Sequence, residues 1–127
     1  MLQAGLFTNF KGDDTLLLWE DADDISQLHT NLKTLRDDTI PVLRVTGCTD
    51  DSHLSIVTVN DGSWISELTR TNEGLRWTCS RPVIEETEAL VGALCNGTAG
   101  HQFIDVSGPL ATQTIVSKGE YPQTLRP

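Results

Sequence analysis

The chain has 127 residues, 38% of them hydrophobic and 21% charged, and 18 acids against 9 bases give a formal net charge of −9. This composition describes one folded domain over residues 1–127 rather than a disordered tail, and its charge disfavours direct binding to a phosphate backbone. No apolar run approaches the roughly 18 to 20 residues of a spanning helix. The opening MLQAGLFTNFKGDD has no basic segment followed by an apolar block, so a cytoplasmic protein without membrane association is expected.

In chain order, LQAGLFTNF and DTLLLW read as two strands joined by KGDD, whose Gly and Asp suit a tight turn. DADDISQLHTNLKTL follows, with Ile25, Leu28, Leu32 and Leu35 on one helical stripe. Asp21 is placed to cap this helix, and Asp24 falls at its third position, near the positive end of the dipole. The period then changes. PVLRVTG, HLSIVTV, SWISELTR and GLRWTCS read as strands connected by CTDDS, NDG and TNE, and such short links predict an antiparallel meander. A second helix is expected from about Pro82 to Cys95, with Leu90, Val91, Leu94 and Cys95 as its apolar face, ended by NGTAG. HQFIDV and TQTIVSK supply two last strands around SGPLA. No internal repeat is visible. The expected fold is α+β, a single mostly antiparallel sheet of about 6–8 strands with both helices packed on one face.

Chemistry-bearing patterns are sparse. Cys48, Cys79 and Cys95 are odd in number and unpaired in spacing, which argues for buried or half-buried thiols rather than disulfides or zinc. There is no P-loop, G-x-S-x-G or G-x-G-x-x-G, and His29, His53 and His101 show no ligand spacing, so neither metal nor cofactor is expected. Two groupings remain. Asp13, Asp14, Glu20, Asp21, Asp23 and Asp24 crowd the front of the chain without a Lys or Arg among them, and suit electrostatic steering of a basic protein partner. His101, Lys118, Glu120 and Tyr121 gather near the end, a rim for an anion or an acid–base group, or the closing architecture of the sheet. Trp19 and Trp64 sit beside acidic segments. In a chain with few aromatics both are read as core first and as interface anchors second.

The stretches GHQFID … IVSKGEYP and LLLWEDADDISQL resemble those of small, acidic, largely uncharacterised bacterial proteins similar to the immunity proteins of polymorphic toxin systems. That resemblance implies a cytoplasmic α+β inhibitor that binds and neutralises a cognate toxin, with no catalytic residues to carry over. The expected function is therefore a non-enzymatic protein-binding domain of the immunity or antitoxin type, with a basic toxin domain as partner. Two alternatives stay open: a self-associating structural or regulatory domain forming homo-oligomers, and a small hydrolase or ligand-binding domain using His101, Lys118 and Glu120.

Overall fold

A computed structural model describes residues 2–20, 25–49, 53–97 and 99–127. Its elements in order are β1 (Gln3–Phe10), β2 (Asp13–Glu20), α1 (Ser26–Arg36), β3 (Val42–Val45), β4 (His53–Val59), β5 (Ser66–Thr71), β6 (Gly74–Ser80), α2 (Arg81–Cys95), β7 (Gly100–Asp105) and β8 (Gln113–Lys118). Helix α1 begins at Ser26 after Ile25. Asp21 and Asp24, expected at its N-cap and third position, lie outside the described residues. Helix α2 buries Val83, Ile84, Thr87, Val91 and Leu94.

The strands form two four-stranded mixed sheets, β1-β2-β8-β7 and β3-β4-β6-β5, in place of the single, mostly antiparallel sheet expected. Each sheet holds a central parallel pair, β2 with β8 and β4 with β6, flanked by antiparallel neighbours. The meander expectation fails at one connection. Residues 60–65 do not join neighbours; they arch over the end of β6, which sits between β4 and β5. Two strand spacings are only about 10 Å, so a link of this length spans them easily.

The order β1β2-α1-β3β4 is repeated as β5β6-α2-β7β8, and each half contributes two strands to each sheet. The buried positions repeat with it. Leu16 and Leu75, Leu18 and Trp77, Ile25 and Ile84, Leu28 and Thr87, Leu32 and Val91, Leu35 and Leu94, and Val45 and Ile104 are all 59 positions apart and all buried. In the parallel pairs Leu16↔Thr114 and Leu18↔Val116 match Leu75↔Leu54 and Trp77↔Ile56. The repeat is one of burial more than of identity: Leu meets Trp, Thr or Val at several pairs. That is why it escapes a reading for similar letters.

Residues from both sheets and both helices share one core, and the helices pack on each other. At their crossing His29 Nε2 lies 3.1 Å from Glu88 Oε1. These two residues also occupy equivalent positions, so they mark the local two-fold relation between the halves. A Cβ on Gly92 would stand 2.7 Å from the His29 ring, which keeps this position small. A smaller cluster lies on the other face of the first sheet: Phe7, Leu17, Trp19 and Ile115, covered by Phe10, Tyr121 and Leu125. The C-terminal segment is fastened there by a hydrogen bond from Trp19 Nε1 to Pro122 O (2.9 Å).

The free edges of the sheets are tied to one another. Isolated bridges join Ala4 to Cys48 and Glu67 to Ser107, so the eight strands make one hydrogen-bonded circuit. Gly108 guards the second seam. Its φ is +119°, and a Cβ there would stand 2.6 Å from Leu68 O, next to the bond from Leu68 N to Ser107 O. Gly108→Ala is expected to cost about 2 kcal/mol or more, the sum of a left-handed backbone and a backbone clash. Chemical denaturation checks this, with the solvent-exposed Gly62→Ala as the neutral comparison.

Candidate partner-binding groove

The two groupings expected from sequence are distributed by the fold in different ways. Asp13 and Asp14 sit at the β1–β2 turn, where Asp14 Oδ1 accepts from Asn9 N (3.0 Å) and Asp13 Oδ1 accepts from Thr112 Oγ1 (3.2 Å). Glu20 is at the opposite end of β2, about 23 Å away at ordinary strand rise. These three do not make one patch. Asp21, Asp23 and Asp24 lie outside the described residues.

Of the terminal group, His101 and Glu120 meet and Ser117 joins them. His101 Nδ1 lies 2.9 and 3.0 Å from the Glu120 carboxylate oxygens, and Ser117 Oγ donates to Glu120 Oε1 at 2.6 Å. The hydroxyl is spent on the carboxylate rather than on an imidazole nitrogen, and Ser117 is fully buried. The cluster therefore lacks the base–nucleophile contact that activates a serine. It works as a clasp on the C-terminal segment. Tyr121, one residue on, packs edge-to-face on Phe10 with centroids 5.5 Å apart.

Lys118 is not part of that rim. In the β7–β8 ladder His101 pairs with Ser117 and Gly100 with Lys118, so successive side chains take opposite faces. Lys118 is 4% exposed, and its ammonium donates to Leu94 O (3.2 Å), Cys95 O (3.3 Å) and Gly97 O, capping the C-terminus of α2. The equivalent carbonyl of α1, Arg36 O, accepts from Arg81 NH1 at 3.1 Å instead. Burial also pushes the Cys79 thiol up, and Cys48 and Cys95 are half-buried.

Of the two tryptophans expected in the core, Trp64 lies at the surface. Trp64 and Phe103 are each 48% exposed, the large hydrophobics that stand out from the surface, while Trp19 is fully buried. Both line one groove of about 360 Å³ with Glu86, Leu90, Ile104 and Asp105. Trp64 also borders an adjoining hollow that includes Glu67 and Ser107. Trp64 leads into β5, Phe103 and Asp105 lie on the edge strand β7, and Glu86 and Leu90 are one helical turn apart on α2. Phe103 is braced by the His101 ring, edge-to-face at 5.1 Å.

The groove has a counterpart in the first half. Gln27, Asn31, Arg44, Val45 and Thr46 line a hollow of about 280 Å³ together with Leu2. They stand 59 positions before Glu86, Leu90, Phe103, Ile104 and Asp105. The fold thus builds a groove between helix and edge strand twice. Aromatic side chains line it only in the second half; the first half has Arg44 for Phe103 and Gln27 for Glu86, and Glu20 is its one acid against Glu86 and Asp105 in the second.

Comparison with protein-family models, with curated proteins and with solved structures returns no match. Among the described residues no helix is long and apolar enough to cross a membrane.

Two outcomes test these assignments. Lys118→Met keeps the buried stem but strips three helix-end carbonyls of their donor, and is expected to lower stability by about 1–3 kcal/mol in urea denaturation. For Glu120, desolvation pushes the carboxyl up, but hydrogen bonds from Ser117 and His101 and the charges of His101 and Lys11 outweigh it, holding it below its ordinary 4.5. A group depressed in the folded state stabilises above its unfolded pKa and loses that contribution as pH falls through the folded value. Glu120→Gln should therefore lower the thermal midpoint at pH 7, with the gap to the parent closing as the pH drops below about 4.5. A gap that widens in acid would contradict the clasp.

Proposed function

We infer that this chain is a non-enzymatic protein-binding domain that seats a basic, partly apolar segment of a partner in the groove between α2 and β7. The observation that carries this reading is the convergence of Trp64 and Phe103 on one acidic groove, set against an equivalent groove that lacks both. Buried aromatic anchors supply most of the energy at protein interfaces. Exposing two of them costs the free protein solvation that a partner would relieve. Glu86, Asp105 and the neighbouring Glu67 give the rim the sign that a Lys- or Arg-bearing segment needs. The net charge of −9 adds long-range attraction for such a partner and repels nucleic acid.

An inhibitor of the immunity type is the form of this function that the sequence resemblance suggests, with a basic toxin domain as the partner and the cytoplasm as its place of action. Self-association through sheet edges has less support: the bridges Ala4–Cys48 and Glu67–Ser107 occupy part of those edges, and the part of β7 left open borders acidic side chains that a second chain of net charge −9 would not complement.

The test is affinity capture of the partner by the parent chain and by variants whose circular dichroism matches it. Trp64→Ser and Phe103→Ser are expected each to weaken capture about tenfold or more, corresponding to at least 1.4 kcal/mol. Arg44→Ser in the equivalent groove should have little effect. Equal capture by the Trp64→Ser/Phe103→Ser double variant would remove the groove from the interface.

A further inference from the structure

Resting on that reading, we propose that the partner segment binds as an added β-strand along the free edge of β7, its backbone hydrogen-bonded to His101, Phe103 and Asp105. The parity of the β7–β8 ladder decides which backbone groups of β7 are free. Val106 N donates to Thr112 O, continuing the register that pairs Gly100 with Lys118 and Ile104 with Thr114. In an antiparallel pair this makes the even-numbered residues of β7 the ones bonded to β8. The N–H and C=O groups of His101, Phe103 and Asp105 then point away from β8, towards the groove.

Ser107, next in that outward row, shows what such groups do when a strand is offered. Its N–H donates to Ser66 O at 2.8 Å and its carbonyl accepts from Leu68 N at 3.0 Å. The pairing stops there, because β5 proper begins at Ser66 and Trp64 and Ile65 turn aside, Ile65 bonding to Ser80. Three outward residues of β7 are left without a backbone partner among the described residues. They border the same groove as Trp64, Glu86 and Leu90.

An exposed row of this kind is a template for another strand unless it is covered or charged against one. Here the row carries Phe103 and Asp105 on one face and is flanked by Glu86. That combination admits a strand alternating basic and apolar residues: main-chain bonds supply affinity, and alternate side chains meet the aromatics and the acids. A lysine-rich helix could satisfy the acids but would leave the three N–H and three C=O groups unpaired. The strand form uses both.

The probe is an eight-residue peptide alternating lysine with valine, added to the full chain. Amide hydrogen exchange is followed residue by residue, and binding by Trp64 fluorescence in a Trp19→Phe/Trp77→Phe background whose fold is checked first. Exchange at the amides of His101, Phe103 and Asp105 is expected to slow at least tenfold on binding, while Gln102 and Ile104 stay as they were. The same peptide with N-methylated valines, and octalysine, should bind at least tenfold more weakly. If the peptide binds at Trp64 without slowing those three amides, or if N-methylation leaves affinity unchanged, strand addition is overturned and the groove reading stands. No binding by any of the three peptides at millimolar concentration overturns both.

Discussion

Everything in this molecule depends on a crossed pairing: β2 of the first half lies parallel to β8 of the second, and β6 of the second parallel to β4 of the first. A parallel neighbour cannot be supplied by a tight hairpin. Each half therefore offers two separated hairpins and a helix, and completes its partner's sheets rather than its own. The apolar faces of α1 and α2 become a core only when both sheets are assembled around them. The halves share that core, and a single cooperative unfolding transition is the expected consequence.

The same crossing explains where the surface features fall. Bridges join the sheets at Cys48 and Ser107, and in each half a groove lies between helix and edge strand. Two grooves are thus a property of the fold, and their linings are a property of the residues. Helix ends follow a similar logic: the equivalent carbonyls Arg36 O and Cys95 O are both capped by a cation, one by Arg81 and the other by the buried Lys118. Difference within a repeated frame is visible at both places, and at the grooves it puts the aromatic side chains on one side alone.

Most elements were legible from residue periodicity. The stripe Ile25, Leu28, Leu32, Leu35 and the alternation of Leu75, Trp77 and Cys79 point to their cores because burial follows helical and strand periods. Sheet order was not legible. A short link such as residues 60–65 reads as a hairpin, and nothing local records that β6 inserts beneath it. The candidate surface was half legible: Trp64 was noted beside the NDG turn, yet its exposure depends on β5 starting just after it. Phe103 lies in a stretch singled out for its polar groups. His101 and Lys118 do lie at one end of the β7–β8 pair, but adjacent register positions face opposite ways, which sends one to the clasp and the other into the core. The acidic run looked continuous in sequence, and β2 carries its members to opposite ends of a strand.

The crossed pairing is most directly tested by cutting the chain between β4 and β5. Residues 1–62 and 63–127 are produced separately and studied by circular dichroism, sedimentation and amide NMR, alone and mixed. Neither piece is expected to fold as a monomer, and mixing should restore a one-to-one complex with the dispersed spectrum of the intact chain. A half that folds alone as a monomer with its own complete sheet would contradict the crossed architecture, and with it the origin of both grooves.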